Sequence, residues 1–256
     1  MRKEMRVDVI RKAAVGGVFV LAAVLSAAAS SAAQAQAAGK SPPNWTGIWT
    51  RTGSLNFDPN IPGRESDHPP YNPEYQKRFD EIQASEAKGL PVNDRSANCE
   101  PPGLVRMMNM VYPMEILQTP GQVTIIAEWM GQIRRIFTDG RPHPEDPDPT
   151  YNGHSIGRWE GDTLIVDTVG LLGEGIINDH GAPLGKQVHV TERWWAEDPD
   201  TLKDEITVES PDALTRPIKT VKTFKRRKDI QIMEYVCTQN NRNPVLPDGS
   251  TGVILR

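Results

Sequence analysis

The sequence predicts a mainly β protein, an antiparallel meander of about ten strands closed into a barrel and accompanied by one helix. Three observations carry that prediction. From Tyr112 onward, runs of Val, Ile, Thr and aromatic residues alternate with turn-forming dipeptides. Those turns, Pro120-Gly121, Met130-Gly131, Gly161-Asp162, Asp198-Pro199-Asp200 and Lys228-Asp229, are too short for a crossover, so the strands they join must be antiparallel. Only one stretch, Pro73 to about Lys88, carries a helical pattern.

The elements follow in chain order. Basic residues Arg2, Lys3, Arg6, Arg11 and Lys12 precede an apolar run from Ala13 to Leu25, and a small-residue exit ends at Ala35-Gln36-Ala37. This is the pattern of a secretory signal peptide over residues 1–37, so the mature chain is expected to be periplasmic or secreted, with no membrane insertion after cleavage. Removing 37 of 256 residues leaves 219 and takes the net charge from −4 to −7. That size suits a single domain, and that charge disfavours nucleic acid as a partner.

Residues 38–111 hold a first strand at Trp45 to Thr50, a Pro-rich loop from Phe57 to Pro73, and the helix, with Tyr75, Phe79 and Ile82 at helical spacing and Gly89 as its stop. This segment is expected to pack on a barrel core formed by residues 112–256. The core strands are Tyr112 to Thr119, Gln122 to Trp129, Gln132 to Thr138, Ser155 to Glu160, Thr163 to Val169, Gln187 to Glu197, Thr201 to Glu209, Ile218 to Arg227 and Ile230 to Cys237. Closing the meander hides its edges and leaves room for one small ligand. Strand counts do not reveal closure, so a two-sheet β-sandwich stands as the alternative. Cys99 and Cys237 are the two cysteines, and export favours a disulfide between them.

Gly47-x-Trp49 at the start of the β region is similar to the Gly-x-Trp of lipocalins, which implies a lipocalin-like barrel with Trp49 packed across its floor; the lipocalin C-terminal helix has no counterpart. The stretch from Cys99 to Gly170, with Asp139-Gly140-Arg141-Pro142-His143-Pro144 and Gly153-His154-Ser155-Ile156-Gly157-Arg158-Trp159, resembles an uncharacterised family of exported bacterial β proteins. That resemblance implies no activity.

The densest polar region runs from Asp139 to Asp167 and includes His143, Tyr151, His154 and Arg158. A long polar connection between strands serves as a lid or a site more often than as a plain connector. His154, between Gly153 and Gly157, is the candidate general acid or base, and Asp167 its orienter. Tyr151 and Arg158 are candidate substrate-binding groups. In the strand from Gln187 to Glu197, alternation puts His189, Arg193 and Trp195 on one face and Glu192 and Trp194 on the other. With the first face inward, Arg193 would bind an anion and Trp195 would form an aromatic wall; with the second inward, Glu192 becomes a buried acid. His189 and Glu192 are both candidate catalytic groups.

No dinucleotide fingerprint, Walker loop, nucleophile elbow or paired-Cys motif occurs, and the histidines lack tight ligand spacing, so no cofactor or metal is expected. The reading is an exported cofactor-independent acid–base enzyme, a lyase, isomerase or hydrolase, acting on a small apolar or aromatic molecule in the barrel. The alternative is a non-catalytic lipocalin-like protein that binds or transports such a molecule.

Overall fold

The structure is a computed structural model and describes residues 41–53, 68–178, 180–239, 244–247, 249 and 251–253. The expected signal peptide and most of the Pro-rich loop lie outside the described residues. The chain divides after Ser41, and the unit beginning at Pro42 is the barrel. Among the described residues, no helix is long and apolar enough to cross a membrane.

Nine strands form the closed barrel: β1 (Gly47–Thr52), β3 (Met114–Thr119), β4 (Gln122–Ala127), β5 (Gln132–Phe137), β6 (His154–Glu160), β7 (Thr163–Val169), β8 (His189–Asp198), β9 (Thr201–Glu209) and β10 (Ile218–Arg227). The short strands β2 (Val92–Asn93) and β11 (Gly252–Val253) pair separately. The helix α1 (Pro73–Ala87) starts at the cap Asn72, whose side chain accepts from the Tyr75 N–H, and buries Tyr75 and Phe79. The Asn72 amide also ties the helix to the β9–β10 connection, donating to the Asp212 carbonyl at 2.7 Å. A single turn, α2 (Leu104–Met107), follows.

The barrel is closed, as the sequence predicts, with two corrections. Ile230–Cys237 is not a strand. β1 already pairs with both β10 and β3, so the ring has no free edge for a further strand. The segment instead runs irregularly past Tyr112 and Trp129, with Tyr235 edge-on to Tyr112 at 6.5 Å and the Met233 N–H on Glu128. β1 is therefore itself a barrel stave rather than an appendage.

The second correction is that one neighbouring pair is parallel. A ring with an odd number of strands cannot alternate direction all the way round, and the exception falls between β5 and β6, where Ile136 pairs with Ser155 and Phe137 with Ile156. Parallel neighbours need a crossing connection. Residues 138–153 provide it as a strap over the outer face of β6 and β7, where Thr150 bridges Leu171 in parallel and its N–H bonds the Gly170 carbonyl at 2.9 Å.

Inside, Trp49, Ile116, Ile125, Ile136, Leu164, Val166, Val190, Trp194, Ile206 and Phe224 form one core. The Trp49 ring is fully buried, its N–H donates to the Trp45 carbonyl at 2.8 Å, and the Arg226 guanidinium lies over its face at 4.2 Å. Gly47 makes this possible, because a Cβ there would meet the Arg226 side chain at 2.9 Å. Trp49→Ala is expected to cost at least about 3 kcal/mol, read from chemical denaturation. An unchanged unfolding midpoint would contradict its place in the core.

Cys99 and Cys237 are joined, with Cα atoms 5.5 Å apart and a separation of 138 positions in sequence. The bridge holds the irregular segment onto the barrel. Reducing and alkylating the protein should lower its stability by about 2 to 4 kcal/mol. Thiol titration in denaturant should find no free cysteine beforehand.

Candidate functional site

The site begins with the parallel joint. β5 and β6 pair at only two positions, so the rest of the β5 edge faces residues 150–153 across a seam bridged by the Asn152 amide, which donates to the Ile133 carbonyl at 3.4 Å. A cavity of about 490 Å³ opens there, lined by Gln132, Arg134, Phe137, Tyr151 and His154 among others. Gly153 delivers the chain to His154 with φ +63°, where a Cβ would lie 2.6 Å from the Val169 carbonyl oxygen. No other residue fits that approach without displacing β7.

His154 opens a chain of hydrogen bonds. Its Nδ1 is 2.9 Å from His143 Nδ1 in the strap, and His143 Nε2 is 2.9 Å from Asp167 Oδ2 on β7. Asp167 Oδ1 is 2.6 Å from His189 Nε2 on β8, and His189 Nδ1 is 2.9 Å from Glu209 Oε2 on β9. The carboxylates fix the ring protons. His143 Nε2 must donate to Asp167, so in the neutral ring His143 Nδ1 accepts, and His154 Nδ1 must donate to it. His154 is left with a lone pair on Nε2, which has no protein partner among the described residues.

Electrostatics agree with that assignment. Burial, then the neighbouring His143 and Arg141, lower the His154 pKa below the ordinary imidazole value and keep the ring neutral. Phe137 holds the His154 ring by stacking at 5.4 Å and is capped by the Arg141 guanidinium at 4.0 Å. His189 behaves oppositely. Partial burial disfavours its charge, but hydrogen bonds to Glu209 and Asp167 outweigh this and raise its pKa. The far end of the chain, His189 and Glu209, lines a second cavity of about 570 Å³ beside Val188, Leu214 and Arg216.

Behind the seam lies a charged layer inside the barrel. The Arg134 guanidinium grips Glu192 with both terminal nitrogens and also donates to Ser155 at 3.2 Å and Thr168 at 3.1 Å. Lys222 donates to the Asn109 side chain at 2.7 Å, and Arg51 to the Asn109 carbonyl at 2.9 Å. Asp204 is fully buried with neither oxygen hydrogen-bonded. Burial, reinforced by Glu192, pushes its carboxyl well above the usual range and favours the neutral acid.

The structure places the expected residues as follows. Asp167 does not touch His154; it reaches it through His143, which the sequence placed only among the polar residues of the loop. β8 turns Glu192 and Trp194 inward, so His189, Arg193 and Trp195 lie on the outer wall and do not line the barrel interior. The reason is register, since Val190, Glu192 and Trp194 share the face of Leu164, Val166 and Thr168 on β7. Arg158 is an outer residue paired with Glu160, its side chain 69% exposed, and it lines neither the seam cavity nor the one at His189. Tyr151 lines the seam, with Arg95 over its ring at 5.6 Å. His180 packs toward α1, its carbonyl accepting from Gln83 at 2.7 Å. Among the described residues, no group of three His, Cys, Asp or Glu side chains is placed to hold a metal ion.

Gln132, Arg134, Asp204 and Lys222 were not among the expected site residues. Their signal is alternation: Asp204 shares a strand face with Leu202, Ile206 and Val208, and Lys222 shares one with Ile218, Thr220 and Phe224.

No protein-family model matches the chain, and no curated protein sequence matches it. Among solved structures, the chain is similar to a mutant of the fluorescent protein UnaG, at 13% identity and a TM-score of 0.31, over 71% of this chain and 95% of that one.

Proposed function

We propose that this is an exported acid–base enzyme of the lyase, isomerase or hydrolase type, acting on a small molecule held in the seam cavity with His154 Nε2 as the base. One observation carries the reading: His154, which lines the cavity, has one nitrogen committed to the chain leading to Asp167 and the other without a hydrogen-bond partner among the described residues, as general-base work requires. When Nε2 takes a proton, Nδ1 can pass one to His143, and the positive charge then settles beside the Asp167 carboxylate. Arg135, Asn152 and His154 among the lining residues suit a substrate that carries hydrogen-bonding groups on the apolar or aromatic body expected from sequence. The basic leader, the apolar run and the disulfide support export.

The test is proton exchange. Small molecules co-purifying with the exported protein are identified by mass spectrometry and incubated with it in D₂O. Deuterium incorporation or turnover by the wild type but not by His154→Gln is expected. A bound molecule that neither exchanges nor reacts would make the protein a carrier instead.

A further inference from the structure

The parallel joint sets an unpaired arginine beside His154. Ile136 is level with Ser155 across it and both are buried inward, so Arg135 and His154, one residue back on each strand, stand level on the outer face. Neighbouring strands lie about 4.8 Å apart, which brings the two side chains to one end of the seam cavity that both line.

The other arginines around the seam are paired. Arg134 turns inward onto Glu192, Arg141 holds Asp139, and Arg158 holds Glu160. Arg135 is exposed and makes neither a hydrogen bond nor an ion pair among the described residues. None of the described residues lining the cavity is acidic, so this guanidinium meets no carboxylate there, although the whole chain carries a net charge of −4.

Charge and shape together select a ligand. A planar guanidinium offers two parallel N–H donors that match one carboxylate, and the pair is neutral. A phosphate dianion would call for a second cation, and Arg134 is already committed to Glu192. Ile133, Arg135 and Phe137 share the outer face of β5, and Ile133 is 47% exposed on the cavity wall. Two residues along a strand span about 6.6 Å, roughly the length of one aromatic ring. An apolar body of that size covers Ile133 while its carboxylate lies on Arg135.

We infer that the seam cavity takes a monocarboxylate with an apolar or aromatic body about one ring long, its carboxylate held by Arg135 and the proton to be moved presented to His154 Nε2. This rests on the reading of His154 as the base and names the substrate class for it. Arg135 binds and orients; it moves no proton.

The probes are phenylacetate and its neutral isostere 2-phenylacetamide, titrated calorimetrically into the protein. The wild type should bind phenylacetate at least about tenfold more tightly than the amide, and added salt should narrow the gap. Arg135→Gln should lose that preference and keep the unfolding midpoint, because the side chain it replaces is exposed. Equal binding of both probes by the wild type, no binding of phenylacetate, or a carboxylate preference that survives Arg135→Gln would each overturn the inference. His154→Gln separates the two readings. If the carboxylate preference persists in it and turnover is unchanged, the base assignment falls and the anion site stands; if turnover depends on His154 but the wild type shows no carboxylate preference, the reverse holds.

Discussion

Turnover should fall roughly 10²- to 10⁴-fold in His154→Gln, with little change in ligand affinity or in the unfolding midpoint. The glutamine keeps a donor for His143 and the stack on Phe137, but it has no lone pair basic enough to accept a proton. The pH profile carries the sharper test. The active form is the neutral ring, so rate rises with pH as His154 loses its proton. Because burial and the neighbouring His143 and Arg141 lower its pKa, that rise should lie below the ordinary imidazole value of about 6.5. His143→Gln removes one of those neighbours and also breaks the path to Asp167, so the rising limb should move up while the plateau drops. A limb at the ordinary value in the wild type, or one that His143→Gln leaves in place, would disconnect His154 from the chain drawn here.

Breaking the buried ion pair is expected to be strongly destabilising. Arg134→Met leaves the Glu192 carboxylate at 1% exposure with no cation, and Asp204 loses a nearby positive charge. The expected cost is about 3 to 5 kcal/mol, a drop on the order of 10 °C in melting temperature for a chain of this size. The double change Arg134→Met with Glu192→Leu should recover most of it, because two apolar side chains of similar volume relieve both desolvation penalties. Thermal unfolding of the two single variants and the double gives the coupling directly. A double variant as unstable as Arg134→Met alone would mean that the loss came from packing at Ser155 and Thr168 rather than from the stranded charge.

The staves were legible because period-2 alternation and turn dipeptides are local. Thr163–Val169, Thr201–Glu209 and Ile218–Arg227 match their predicted bounds for that reason. Ile230–Cys237 has the same local look, and what excludes it is the closure of β1 between β10 and β3, a pairing over the length of the chain. The site was legible in part. His154, Asp167 and His189 do share one hydrogen-bond chain, but its link is His143, which only the path of the strap brings between them. The direction in which β8 faces also follows from register across three strands, so Arg193 and Trp195 could not be assigned from their own strand.

The odd strand count has an evolutionary consequence. Barrels of this kind gain or lose material most simply as hairpins, two strands at a time, and such steps keep the count odd. Any descendant made that way keeps one like-directed joint, its crossing strap and the opening beside it. Insertion of a single stave between β5 and β6 would make every neighbour antiparallel, and the strap that carries His143 and the seam faced by His154 would disappear in one step. Lineages built on this barrel should therefore vary freely in hairpin number and hardly at all in parity.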